Sequence, residues 1–180
     1  MNVPGPIVLP FRGASPKIDP DAFLAPGAVV IGNTTIAAGA GIWFGCVLRG
    51  DINVIEVGAD TNIQDGTVVH VTSKTHGTFI GARVTIGHSC LIHGCRIGDG
   101  AFIGMRATVC DGAVIEPGGM VAAGALVTPG KLVKTGEVWS GSPAKYWRPA
   151  NETERGYMAN LPGRYAELGR VYRRELGLPV

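Results

Sequence analysis

The chain lacks any apolar run of membrane-spanning length, although 46% of its 180 residues are hydrophobic; a transmembrane helix is therefore not expected. It lacks an excess of either charge, with a formal net charge of +2, so nothing favours a nucleic-acid partner. Arg170, Arg173 and Arg174 cluster near the C-terminus and read as a solvated helix face. The opening stretch MNVPGPIVLPFRG has neither the basic start nor the unbroken apolar segment of a signal peptide. The expectation is a soluble, cytoplasmic protein with no membrane contact. Cysteines are few: Cys46, Cys90, Cys95 and Cys110, none in a CxxC pair. A chain this long needs no disulfides, and these read as small buried or half-buried thiols. Aromatics make up only 7%.

What the chain has instead is glycine, 28 residues, without the three-residue period of collagen, which points to many tight turns. It also has a period of six. Every sixth residue from Ile18 is aliphatic (Leu24, Val30, Ile36, Ile42, Leu48, Val54), and so is every sixth from Ile97 (Ile103, Val109, Ile115, Val121, Val127, Val133). Four residues after an aliphatic comes a small side chain: Ala28, Thr34, Ala40 and Cys46, then Ala101, Ala107, Ala113 and Ala125. One large and one small inward residue per six predicts a triangular coil, with a strand on each side and a turn at each corner. Stacked coils then hydrogen-bond in parallel. Glycine follows the aliphatic at Gly58, Gly81, Gly87, Gly98 and Gly104, where a corner can require unusual dihedrals.

The frame slips three times, all between residues 54 and 97, and broken register often marks a site built against a repeat. Residues 72–78 (TSKTHGT) lie across the largest slip and read as a short protruding loop. After Val133 the pattern fades. Gly141-Ser142-Pro143-Ala144-Lys145 reads as an exit turn, and Asn151 with Glu154 as a capping box. Pro162-Gly163 should break or kink the helix that follows. A second helix should then run from about Arg164 to Leu176, with Tyr165, Leu168, Tyr172 and Leu176 on its apolar face. The expected organisation is an extended segment over 1–17, the β-helix over 18–138, and the exit turn and helical segment, packed on the β-helix, over 139–180.

All four histidines lie between residues 70 and 93. His70 and His93 each follow an inward aliphatic and His88 comes two after one, so none falls in an inward column. Three imidazoles plus an open position form a common catalytic zinc set, and ferrous iron or cobalt would also suit them. In extended chain His88 and His93 would stand about 16 Å apart, and a corner between them sends their side chains to different sides. The economical solution brings one histidine from a neighbouring copy. This predicts a cyclic oligomer, a trimer given the threefold-like cross-section, with the metal between subunits.

Arg49-Gly50-Asp51, the run Asn62-Ile63-Gln64-Asp65-Gly66, His70 and the His88-x4-His93 spacing together resemble the γ-class carbonic anhydrases, in their short-loop branch. Ile103-Gly104-Met105 and the exit turn match as well. The resemblance covers roughly residues 16 to 148. It implies a mainly β, left-handed parallel β-helix of hexapeptide repeats with a C-terminal α-helical segment. It also implies a homotrimeric lyase that hydrates carbon dioxide reversibly to bicarbonate with a metal-bound hydroxide. His70 and His93 would ligate from one subunit and His88 from the next. Arg49, Asp51 and Asp65 would make inter-subunit ionic contacts, with Arg49 also positioning bicarbonate. Gln64 would hydrogen-bond the hydroxide, with Asn62 beside it, and Tyr165 would reach the site from the C-terminal helix. The glutamates that export protons in the best-known branch are missing: Ile52 stands at the first place and the loop carries no acid, which leaves His76 as a candidate shuttle. Two other readings stay open: a thioesterase or other acyl-CoA-acting hexapeptide enzyme, and a low-activity metal-binding scaffold.

Overall fold

The computed structural model describes residues 5–177; residues 1–4 and 178–180 of the two flanking segments lie outside the described residues. The chain winds into a left-handed parallel β-helix closed by one C-terminal helix. The inward aliphatics stack into three ladders. On the first face the register runs Leu24, Ile42, Ile63, Ile86, Ile103 and Val121, and the half-buried Trp139 ends it. On the second it runs Val30, Leu48, Val69, Ile92, Val109 and Val127. On the third it runs Ile18, Ile36, Val57, Ile80, Ile97, Ile115 and Val133. Ile36, Ile42, Leu48, Ile63, Ile86, Ile92, Ile103 and Ile115 are all at most 1% exposed. Each stabilises by about 1.5–3 kcal/mol through burial. The small column fills the remaining space, with Ala28, Ala40, Cys46, Ala107 and Ala113 fully buried.

Register also shows where the frame slips. Ladder partners are 18 residues apart at Leu24 and Ile42, 21 at Ile42 and Ile63, 23 at Ile63 and Ile86, 17 at Ile86 and Ile103, and 18 again at Ile103 and Val121. All three departures fall at one corner, between the second and third faces. There Leu48 is followed by Val57, Val69 by Ile80, and Ile92 by Ile97, while the other corners in these coils keep the six-residue step. Parallel stacking forces this: an extra residue inside a strand would turn every later side chain to the wrong face, so insertions leave the coil where the chain already bends. The largest insertion is a small hairpin closed by Thr72 and His76.

Several sequence expectations need correction. Val54 is only half-buried; the first aliphatic run ends at Leu48, and Ile55 and Val57 turn inward instead. The glycines after inward aliphatics adopt no left-handed dihedrals. They are small because the next coil passes close: a Cβ on Gly104 would sit 2.4 Å from Ala123 N, and one on Gly87 2.7 Å from Met105 N. Left-handed backbone falls elsewhere in the corners, as at Ser89 (φ 58°) directly after His88.

The exit turn is the bend of an antiparallel hairpin, Glu137–Gly141 with Ala144–Pro149. Beyond it a single helix runs Glu152–Glu175, with Pro162 inside it. Proline in a helix interior costs about 3 kcal/mol, and the buried residues Met158, Leu161, Pro162 and Gly169 carry the chain through by packing on the first face. The capping box is present in both directions, and Arg148 grips Glu154 with two 2.7 Å bonds. Tyr165 and Tyr172 meet Trp43 edge-on at 5.3 and 5.5 Å. Leu168 is exposed, and Gly169 takes the core position against Phe23. Arg170 and Arg173 are not merely solvated: they reach back to Asp21 and to the carbonyls of Pro20 and Ala22.

Two outcomes follow from this packing. Ile103→Ala should lower unfolding stability by about 2–5 kcal/mol, whereas Leu132→Ala, at a half-open outward position, should change it by about 0.5 kcal/mol or less; thermal unfolding at fixed protein concentration checks both. Cys46, Cys90 and Cys95 are buried and unbridged, and burial pushes their thiols up to about 12, 11 and 12. At pH 8 a thiol reagent should therefore label at most Cys110 in native protein and all four cysteines after denaturation. Rapid native labelling of two or more would contradict this core.

Candidate metal centre

The corner that absorbs the insertions gathers Arg49, Asp51, His70, His76, His93 and Asp111. His70 ends the strand Val68–His70 and His93 ends Leu91–His93, one directly above the other in the parallel register. The slip at Leu48 lets the chain leave the second face as Arg49-Gly50-Asp51. Gly50 is needed there, because a Cβ would lie 2.7 Å from Asn33 O on the neighbouring coil.

Within this corner His70 Nδ1 lies 3.1 Å from His93 Nε2. The opposite nitrogen of each ring rests on a carboxylate: His70 Nε2 is 3.0 Å from Asp51 Oδ1, and His93 Nδ1 is 2.5 Å from Asp111 Oδ1. A carboxylate accepts and cannot donate, so in a neutral ring it holds the N–H on its own side and leaves a lone pair on the other. Two lone pairs then face each other at 3.1 Å, an arrangement that a shared cation relieves. Nitrogens bound about 2.1 Å from one tetrahedral ion stand about 3.4 Å apart, so the pair needs to open by only a few tenths of an ångström. Burial pushes the Asp51 carboxyl up, but the bonds from His70 and Arg49 outweigh it and hold the group below the ordinary range. Asp111 is likewise held low, burial being outweighed by the bonds from Thr72 and His93.

His88 stands at a different corner, between the first and second faces, after Thr85–Ile86 and before Leu91–His93. It too is backed by an aspartate, with Nδ1 2.8 Å from Asp65 Oδ2. All three histidines therefore have a carboxylate behind the ring, the arrangement that fixes tautomer and orientation in metal sites. Among the described residues, no three His, Cys, Asp or Glu side chains converge within the single chain as a metal set. Arg49 and Asp51 pair within the chain at 2.5 Å, and Asp65 pairs with its own His88.

Asn62 and Gln64 lie on the His88 side. Asn62 Nδ2 donates to Thr85 Oγ1 at 2.9 Å and, more weakly, to Val84 O at 3.4 Å. Its Oδ1 therefore accepts from Gln64 Nε2 at 3.0 Å, and Gln64 keeps its amide oxygen for another donor. Tyr165 belongs to this half as well. Burial raises its pKa first, then the neighbouring Tyr157 and Asp65, while its ring packs on Trp43. His76 lies over the first corner, where a Cβ on Gly112 would be 3.2 Å from its Nε2. Sequence reasoning missed Asp111 entirely. The one available signal was its place, 18 residues after His93, one coil on at the same corner.

A family model described as bacterial transferase hexapeptide (six repeats) matches residues 94–129. The chain is 46% identical over 171 residues to gamma carbonic anhydrase 1, mitochondrial, of Arabidopsis thaliana; the match covers 92% of this chain and 62% of that one, so the chain spans about three fifths of that relative's length. It is 38% identical over 163 residues to Protein YrdA of Escherichia coli K12, covering 86% of this chain and 89% of that one. Among solved structures it resembles a hexapeptide transferase family protein from Anaplasma phagocytophilum, with 49% identity, a TM-score of 0.89, and 92% and 98% of the two chains covered.

Proposed function

Because the chain belongs to the hexapeptide-repeat family, on the branch that includes proteins named gamma carbonic anhydrases, we propose that it hydrates carbon dioxide reversibly to bicarbonate at a divalent metal held between two copies of the chain. The observation that carries this reading is the pair of imidazole nitrogens facing each other at 3.1 Å with a carboxylate behind each ring. His70 and His93 would hold the ion from one subunit and His88 from the next, with zinc, ferrous iron or cobalt as candidates. When bound, such an ion lowers the pKa of its water to about 7 and so supplies a nucleophile at neutral pH. Gln64 would accept that nucleophile's hydrogen at Oε1, the atom that Asn62 leaves free, and so aim an oxygen lone pair at the substrate carbon. Arg49, half-exposed beside Asp51, offers a planar fork to the bicarbonate product. Tyr165 would close the His88 side against water. His76 would carry the released proton outward.

The trimer has support in the surface. The second face lies between the two half-sites, and its outward ladder is Val29, Val47, Val68, Leu91, Thr108 and Leu126. Val68 and Leu91 are exposed. The first face is covered by the helix, and the third carries Lys17, Glu56 and Arg96 among its outward residues. Three prisms turning the apolar second face toward a common axis would bring the His88 corner of each against the His70–His93 corner of the next. The thiols, unbridged and pushed up by burial, fit a reducing compartment such as the cytoplasm.

The transferase names of the family model and of the Anaplasma structure keep an acyl-CoA-acting enzyme as the second reading, and a scaffold with little activity as a third. Acyl transfer needs a single histidine base, for which the facing pair is surplus. Stopped-flow CO2 hydration beside a thioester-hydrolysis assay separates the readings. Hydration with negligible thioester cleavage is expected; the reverse would overturn the assignment, and metal-loaded protein inert in both would favour the scaffold.

Two further outcomes are expected. Protein purified without oxygen should carry about one divalent ion per subunit in a trimer, and Leu91→Arg should yield monomers that have lost both metal and hydration. Monomers that keep the metal would contradict an intersubunit site. His76→Ala should slow turnover in weak buffer and be rescued by added imidazole; an unchanged rate would remove it from the proton path.

A further inference from the structure

We infer that Asp111 is a positioning residue for His93, and that Thr72, on the loop inserted at the same corner, sets the orientation of that carboxylate. The inference rests on the metal reading above, which already sets Asp111 behind His93, and it adds what Thr72 and the loop do to that carboxylate. The two oxygens of Asp111 are divided between two partners: Oδ1 takes His93 Nδ1 at 2.5 Å, and Oδ2 takes the hydroxyl of Thr72 at 2.7 Å. The backbone is built to admit this carboxylate. Residue 94, directly after His93, is a glycine with φ +54°, and a Cβ there would sit 2.4 Å from Asp111 Oδ1 and 2.9 Å from His76 Cβ.

Thr72 is itself held, its carbonyl accepting from Asn53 Nδ2 at 2.9 Å and its N–H donating to His76 O at 2.8 Å. A continuous set of contacts therefore runs from the loop hairpin through Thr72 and Asp111 to the His93 ring. Residues 53, 72 and 76 all come from the insertions at this corner, so the irregular segments that break the repeat also brace one of its histidines. Asp51 does the same for His70 without help from the loop. The two rings are thus steadied separately, and a change in the loop should act through His93.

The test is zinc affinity by chelator competition on the full-length protein, comparing wild type with Asp111→Asn, Thr72→Val, Thr72→Ser and the Asp111→Asn/Thr72→Val double variant. Thermal midpoints serve as a control on folding, and the cobalt(II) absorption spectrum reports ligand geometry. Asp111→Asn should weaken zinc binding about 10–100-fold and shift the cobalt bands. Thr72→Val should weaken it about three- to tenfold, Thr72→Ser should stay near wild type, and Thr72→Val should add nothing once Asp111 is changed. Should Asp111→Asn fail to fold, the contrast between valine and serine at residue 72 still decides. Zinc affinity within twofold of wild type in Asp111→Asn, serine behaving like valine, or additive effects would each overturn the inference and leave the metal reading intact. A wild type that binds no zinc, iron or cobalt would overturn both.

Discussion

Parallel stacking is the constraint on which the rest depends. Each coil hydrogen-bonds to the one beneath it, so each inward position must repeat the one below, and a single misplaced residue would turn a ladder inside out. The chain can depart from the period only at a corner. Three departures at the same corner leave Leu48, Val69 and Ile92 in one ladder and Val57, Ile80 and Ile97 in the next. Among the residues set between them are Asp51, Asn53, Thr72 and His76. A regular corner has no room for such a cluster, and an irregular strand would not tolerate it.

Electrostatics then gives that corner its chemistry. An imidazole alone is ambiguous, able to present either nitrogen as donor or acceptor. A carboxylate behind the ring removes the ambiguity, and it does so at all three histidines through Asp51, Asp65 and Asp111. The same logic fixes the amide chain, in which Thr85 and Val84 set Asn62, and Asn62 sets Gln64. At the rings an acceptor-only carboxylate decides which atom faces outward; in the amide chain the acceptor-only carbonyl of Val84 orients Asn62, and Asn62 in turn orients Gln64. The outward atoms at the two corners are complementary to a cation and to a hydroxyl.

Much of this was legible in the sequence, because a six-residue period leaves a direct trace. The aliphatic column apart from Val54, the small column, the grouping of slips in the middle of the chain, and the Asn151–Glu154 cap can be read from spacing alone, although the first slip comes directly after Leu48 rather than after Val54. Other features depend on three-dimensional facts with no local trace. Gly87 and Gly104 look like turn residues, yet they are required by the approach of the next coil. Pro162 reads as a stop, but a helix with a full apolar face against Trp43 and Phe23 can absorb its cost. Asp111 carries no motif and becomes visible only once His93 is known to lie one coil away at the same corner. That all three slips stack on a single corner also needs the register, since one-dimensional spacing records only that the frame moved.

Subunit mixing tests most directly whether one ion is held by histidines of two chains. His88→Ala and His93→Ala each remove one side of the proposed site, so each variant alone should bind almost no metal. Dissociated and reassembled together in equal amounts, they would juxtapose an intact His70–His93 corner with an intact His88 corner at about a quarter of the interfaces in a random cyclic trimer. The expected result is recovery of about that fraction of wild-type zinc, with matching recovery of CO2 hydration. Metal retained by either variant alone, or no recovery in trimers proven to be mixed, would contradict a site shared between subunits.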